Sequence, residues 1–173
     1  MINPKYILSE IVATLAGIPD LVAALSSDPG NDPPWSDGPI APYSDGPSTE
    51  SNLRIAILQM PPGTVLVAWL GTRSRRLQGS TALLFSHQYS IFLRAPETGA
   101  SYEDLFNLIV AGIPTTPNNP SGLPMLHVEV DPFCYPMDLD LPVAQRNTIV
   151  VSADGATFDY FEIQVSFVES GAI

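Results

Sequence analysis

The chain has 173 residues, with 7 Lys and Arg against 18 Asp and Glu, a formal net charge of −11, 18 prolines, 12 glycines and one cysteine. That length makes one domain able to bury its own core, its 45% hydrophobic fraction excludes wholesale disorder, and so many prolines exclude a helical bundle or coiled coil. Cys134 alone excludes a disulfide framework and a cysteine-based zinc cluster, no apolar run approaches the ~20 residues of a membrane span, and the acidic balance argues against binding nucleic acid or an anionic membrane.

The opening MINPKYILSE lacks the basic-then-apolar build of a signal peptide and reads instead as the start of a helix. Asn3 is a good N-cap, Pro4 suits the first helical position, and Ile2 is placed to staple against Ile7. Ile7, Leu8, Ile11, Val12 and Leu15 then form one apolar stripe until Gly17 and Pro19 stop it, with a short further turn or two over Asp20–Leu25. Residues 26–52 read as an insertion too rich in Pro, Gly, Asp and Ser for regular structure. It holds a near-repeat, Trp35-Ser36-Asp37-Gly38-Pro39 and Tyr43-Ser44-Asp45-Gly46-Pro47, in which each aromatic opens a turn. A loop of this length with two rings is expected to dock, on its own domain or on a neighbouring subunit.

Leu53–Met60 and Thr64–Gly71 flank Pro61-Pro62-Gly63 and read as a hairpin, and VLVAWL is apolar on both faces, so both faces should be covered. GTRSRRLQG, residues 71–79, reads as a polar loop. Thr81–Arg94 alternates as a long strand, with Phe92 as an exception on its polar side. Ser101 and Asp104 open a second helix whose Tyr102, Leu105, Phe106, Ile109 and Ile113 share a face, and Gly112 and Pro114 end it. After a loop comes a short strand at Met125–Val130 and an acidic, proline-broken connection over 131–142. The chain closes with a hairpin, Asn147–Ser152 and Thr157–Glu169, turned at Asp154-Gly155, its last strand apolar on one side and wet on the other. The expected fold is one α+β domain over 1–173: a mainly antiparallel sheet with two amphipathic helices on one face, long proline-rich loops and the insertion at 26–52.

No glycine-rich phosphate loop, Gly-x-Ser-x-Gly elbow or His-Glu-x-x-His occurs. His127, Glu129 and Asp131 alternate along the short strand and can be posed as metal ligands with His87, although three such residues at period two also arise by chance. Cys134, between Phe133 and Tyr135, has no basic neighbour in sequence to activate it and reads as a packed thiol. Asp138 and Asp140, with Glu129 and Asp131, can be posed as paired carboxylates or as solvated loop acids. The expectation is a protein that is not an enzyme and carries no cofactor.

The charge is segregated along the chain. Residues 51–96 hold five arginines and no acid, whereas residues 97–145 hold seven acids and no base. Arg73, Arg75 and Arg76 are the one basic cluster, and a subunit contact with surplus carboxylates ranks ahead of a solvated turn and of DNA binding. Sequence blocks are not surfaces, so the segregation carries meaning only if the fold preserves it.

In element order and local pattern the chain resembles the tail terminator proteins of long-tailed bacteriophages. The similarity lies in the helix Ile7–Leu15, the stretch Leu53–Leu70, the block HQYSIFLRAPETGASYEDLFNLIVAGIP (87–114) and the terminal RNTIVVSADGATFDYFEIQVSFVE (146–169). It is one of pattern, and the insertion at 26–52 and the loops at 114–124 and 131–142 depart from the leanest members. The resemblance implies a non-catalytic virion protein at the head–tail junction, a homo-hexameric ring that contacts the tail tube protein and the head–tail connector and lets DNA pass without holding it. On that reading Arg73, Arg75, Arg76, Trp35, Tyr43, Val65, Val67 and Trp69 are the candidate subunit-contact residues. A head–tail adaptor, stopper or other tail subunit is the nearest alternative. A small carbohydrate- or protein-binding module using Trp35 and Tyr43 is the rival of another class, and a metal-dependent hydrolase ranks third.

Overall fold

A computed structural model describes residues 3–30, 34–43, 50–76, 78–79, 82–112, 138–150 and 157–172. The expected strand at 125–130 lies outside the described residues, as do His127, Glu129, Asp131 and Cys134. The elements are α1 (Pro4–Ala16), α2 (Pro19–Ala24), a single 3-10 turn (Trp35–Asp37), β1 (Ile40–Tyr43), α3 (Glu50–Leu58), β2 (Thr64–Arg76), β3 (Ala82–Arg94), α4 (Tyr102–Gly112), β4 (Asp138–Val150) and β5 (Thr157–Ala172). They form an α+β fold around one five-stranded sheet in the order β1-β2-β3-β5-β4. Among the described residues, the β1–β2 pair is parallel and the other three pairs are antiparallel.

The sheet is covered on both sides because β2 demands it. Val65 and Val67 point to one face, Leu66 and Ala68 to the other, and all four are buried. The first face packs against Ile7, Leu8, Ile11 and Leu15 of α1, Leu21 of α2, and Leu105 and Ile109 of α4, with Tyr89, Ile91, Leu93 and Ile163 completing the layer. The start of α1 is as the sequence predicts: the Asn3 side chain accepts the Lys5 N–H at 3.0 Å and Pro occupies the first turn. Tyr89 ties this helix to the sheet by donating its hydroxyl to the Pro4 carbonyl at 3.0 Å. At α4, Ser101 and Asp104 form a reciprocal capping box: the Ser101 N–H donates to Asp104 Oδ2 at 2.9 Å and the Asp104 N–H to Ser101 Oγ at 3.2 Å.

The second face holds Trp35, Ala41, Ile57, Met60, Leu66, Ala68 and Phe92. Here the structure corrects three readings. Residues 53–60 are not a strand; Glu50–Leu58 is helix α3. Leu53, Ala56, Ile57 and Met60 sit at the i, i+3, i+4, i+7 spacing of one helical stripe and pack in this cluster, while Ile55, apolar but off the stripe, is 55% exposed. The helices are therefore not confined to one face. The insertion at 26–52 also contains regular structure, since β1 pairs with Val65–Ala68 and Trp35 is buried beneath it. Phe92, the exception to β3's alternation, is explained: it belongs to this second core and meets Tyr160 at 5.8 Å between ring centroids.

The closing strands are longer than expected. Asp138–Val150 is one strand, so the tail of the proline-broken connection belongs to the sheet, with a register shift between Asp140 and Val143 that brackets Leu141 and Pro142. β5 runs on to Ala172. Among the described residues no helix is long and apolar enough to cross a membrane.

Gly63 holds three segments together. Its N–H donates to the Arg94 carbonyl and its own carbonyl accepts the Ser26 N–H, each at 2.9 Å. Its φ is +72°, and a Cβ there would lie 2.8 Å from the Ser26 nitrogen. Gly63→Ala should cost about 1–3 kcal/mol of folding free energy through backbone strain alone, read by urea unfolding. A second expectation concerns pH. The Ser101 backbone N–H, then its hydroxyl, hold the Asp104 carboxyl below the usual aspartate range. Such a depressed folded value stabilises the protein above the unfolded value of about 4 and loses that effect as pH falls through the folded value. Asp104→Asn should therefore lower the urea midpoint at neutral pH, and the difference from the parent should close under acid.

Candidate functional site

The inner half of the sheet is committed to the two cores; the outer half is where the surface becomes distinctive. β2 and β3 pair without a break from Thr64↔Arg94 to Trp69↔Tyr89, then shift register and continue from Gly71↔Gln88 to Arg76↔Leu83. Gly71 has φ +143°, a conformation that L side chains rarely adopt. This bulge changes which residues face which way. Regular alternation from Val65 would put Arg73 and Arg75 on the α1 side with Val67 and Trp69. With the extra residue, Arg73 falls opposite Ser86 and Arg75 opposite Leu84, on the α3 side, and Thr72 and Ser74 take the α1 side.

GTRSRRLQG is accordingly not a loop as far as Arg76. Thr72–Arg76 is strand because β3, which begins at Ala82, is long enough to pair with it. Arg73, Ser74, Arg75 and Arg76 are all exposed. Three of the chain's six arginines thus stand on four consecutive positions of one strand, outside either core.

The other candidate contact residues are placed differently. Val65 and Val67 are fully buried under α1, and Trp35 is 5% exposed in the second core, so none of the three offers a surface to another subunit or a ligand. Their apolar character serves the chain's own interior. Trp69 is half-buried against the first core and Tyr43 half-buried against the second. Of the eight residues, the arginines alone are exposed.

Two buried polar groups flank the outer half. On the α1 side His87, wholly buried, bonds Thr72 Oγ1 through Nδ1 at 2.8 Å. On the α3 side Glu162 is only 9% exposed; its Oε1 accepts the Ser90 hydroxyl at 2.7 Å and the Gln164 amide at 3.1 Å. Burial, then the Glu162 carboxylate, raise the Tyr160 phenol above its ordinary value, with Arg54 of α3 opposing. The expectation that this side of β5 is wet is thus corrected at Glu162, because Ser90 and Gln164 supply the bonds that water otherwise makes. These groups do not form a nucleophile–base pair: His87 and Ser90 are three apart on β3 and lie on opposite faces of the sheet. Among the described residues, no three His, Cys, Asp or Glu side chains gather where a metal ion could be held. His87, posed as a fourth ligand, bonds Thr72 through Nδ1, and the three residues it was posed with lie outside the described residues.

A scan of the chain against protein-family models gives no match, and a search of the curated proteins finds no significant relative.

The buried and exposed groups should respond differently to substitution. Ser90→Ala removes a donor from a buried carboxylate and should cost about 1–3 kcal/mol. Arg75→Glu with Arg76→Glu, on the exposed end of β2, should change the unfolding free energy by less than about 0.5 kcal/mol. Urea denaturation of both variants beside the parent measures this.

Proposed function

We propose that the chain is a structural subunit of a phage head–tail junction, a tail terminator that works as a homo-oligomeric ring. The observation that carries the reading is the exposed arginine strand Arg73–Arg76 on a protein of net charge −11. A basic surface on an acidic chain fits other copies of that chain, because electrostatic complementarity fixes register and rejects like-charged approaches. A patch of one sign that seeks a different patch of the other sign makes a heterologous contact, and such contacts close into rings when the rotation permits. The resemblance of residues 7–15, 53–70, 87–114 and 146–169 to tail terminators supplies the place of that ring, its hexameric number, and its neighbours, the tail tube protein and the head–tail connector. An acidic lumen suits this role, since it repels DNA phosphates and keeps the passing duplex from sticking.

Native mass spectrometry and negative-stain microscopy of the purified chain test the reading. The expected result is a closed ring, a hexamer, whose population falls as salt rises from about 0.1 to 1 M and the Debye length shrinks from about 10 to 3 Å. A chain that stays monomeric alone and when mixed with tail tube overturns it.

A further inference from the structure

The four long strands lie in the order β2-β3-β5-β4 and alternate in direction, so the two that end the row, β2 and β4, run antiparallel to each other. Among the described residues, β1 lines β2 from Val65 to Ala68. Among the described residues, the outer half of β2 from Gly71 to Arg76 therefore pairs on one side only, with β3, and β4 pairs on one side only, with β5. An edge of this kind presents a row of backbone N–H and C=O groups that can template another strand.

The registers give the two edges opposite charge. One row crosses the sheet from Arg73 through Ser86 and Val168 to Asp138, and its neighbour runs from Gly71 through Gln88 and Ser166 to Asp140. Arg75 and Arg76 continue the basic edge, and residues 138–143 contain no base. The two edges also change character at one level. Ala68, which pairs with the last residue of β1, Tyr43, shares a row with Ser90, Gln164 and Val143, and Val143 is where β4 resumes pairing after Pro142, which has no N–H to donate. The stretch of β2 left open and the stretch of β4 before its bulge thus occupy the same outer band of the sheet.

We infer that copies join by strand addition, the Asp138–Asp140 end of β4 in one copy pairing antiparallel with Gly71–Arg76 of β2 in the next, position 138 set opposite Arg75 and position 140 opposite Arg73. This rests on the reading of the chain as a ring subunit and names the seam. Rotation about an axis along the strands preserves their direction, and an even number of alternating strands then meets its neighbour antiparallel. Charge rejects the two-fold alternatives: β2 against β2 opposes arginines, and β4 against β4 opposes aspartates. Only the pairing of β4 with the next copy's β2 sets unlike charges across the seam, and it repeats at every copy.

The test uses two full-length variants. Arg73→Glu with Arg75→Glu makes both edges acidic, and Asp138→Arg with Asp140→Arg makes both basic. Each should fold as the parent does by circular dichroism, lose the oligomer on native mass spectrometry, and recover it in an equimolar mixture as alternating assemblies of even number. An oligomer that survives both reversals, or a mixture that fails to reassemble, overturns the seam while leaving the ring reading in place; a parent that is monomeric throughout overturns both. Hydrogen exchange on the parent, above and below its assembly concentration, needs no variant. Backbone amides in 71–76 and 138–141 should gain protection on assembly, and unchanged exchange there sinks the proposal.

Discussion

The central stretch of β2 has no polar side, and a strand of that kind must be roofed twice. Val65 and Val67 draw α1, α2 and α4 onto one face of the sheet; Leu66 and Ala68 draw Trp35, β1, α3 and Met60 onto the other. Burying apolar area on both faces is the largest favourable contribution such a strand can make, and most other features of the fold follow from it. Phe92 interrupts the polar alternation of β3 because it is the next strand's contribution to the second roof. The insertion after α2 folds back across the sheet because α3 and Trp35 have to reach that face. Arg94 donates to the Met60 carbonyl, and Gly63 joins Ser26 to Arg94 in the turn between α3 and β2, so both layers are fastened at one corner.

The apolar run of β2 stops at the Trp69–Gly71 bulge, although on the α1 side His87, opposite Thr72, is still fully buried. Past that point β2 loses its apolar residues and carries arginine, while Thr72 and His87 bond to each other on the α1 side. A sheet that is dry at one end and charged at the other divides its labour: one half supplies stability, the other supplies surface. The bulge also determines which surface. One extra residue moves Arg73 and Arg75 from the α1 side to the α3 side, and the sequence around Gly71 gives no way to count that residue before the pairing is known.

Several elements were legible because their signals are local. The N-cap and stripe of α1, the capping box of α4, the strands β3 and β5 and the two-sided character of β2 all depend on residues a few positions apart. The misreadings share a cause. Leu53-Arg-Ile-Ala-Ile-Leu contains both a period-two and a helical stripe, and only the second roof chooses between them. Arg73–Arg76 looks like a loop until a long β3 lies beside it. Val65, Val67 and Trp35 look like contact surface until the helices that cover them are in place, because apolar character alone does not distinguish an interior from an interface.

By itself the sequence determined the class of fold, the place of its strongest helices, the need to cover β2 on both faces, and the existence of a basic segment in an acidic chain. These are consequences of composition and short-range spacing. The tertiary structure alone decided that the basic segment is a strand, that its arginines are exposed while the neighbouring valines are not, and that Arg73 and Asp138 end the same row on opposite edges. Those facts depend on strand register, which is set by pairing between residues tens of positions apart and shifts by a whole face with each inserted residue.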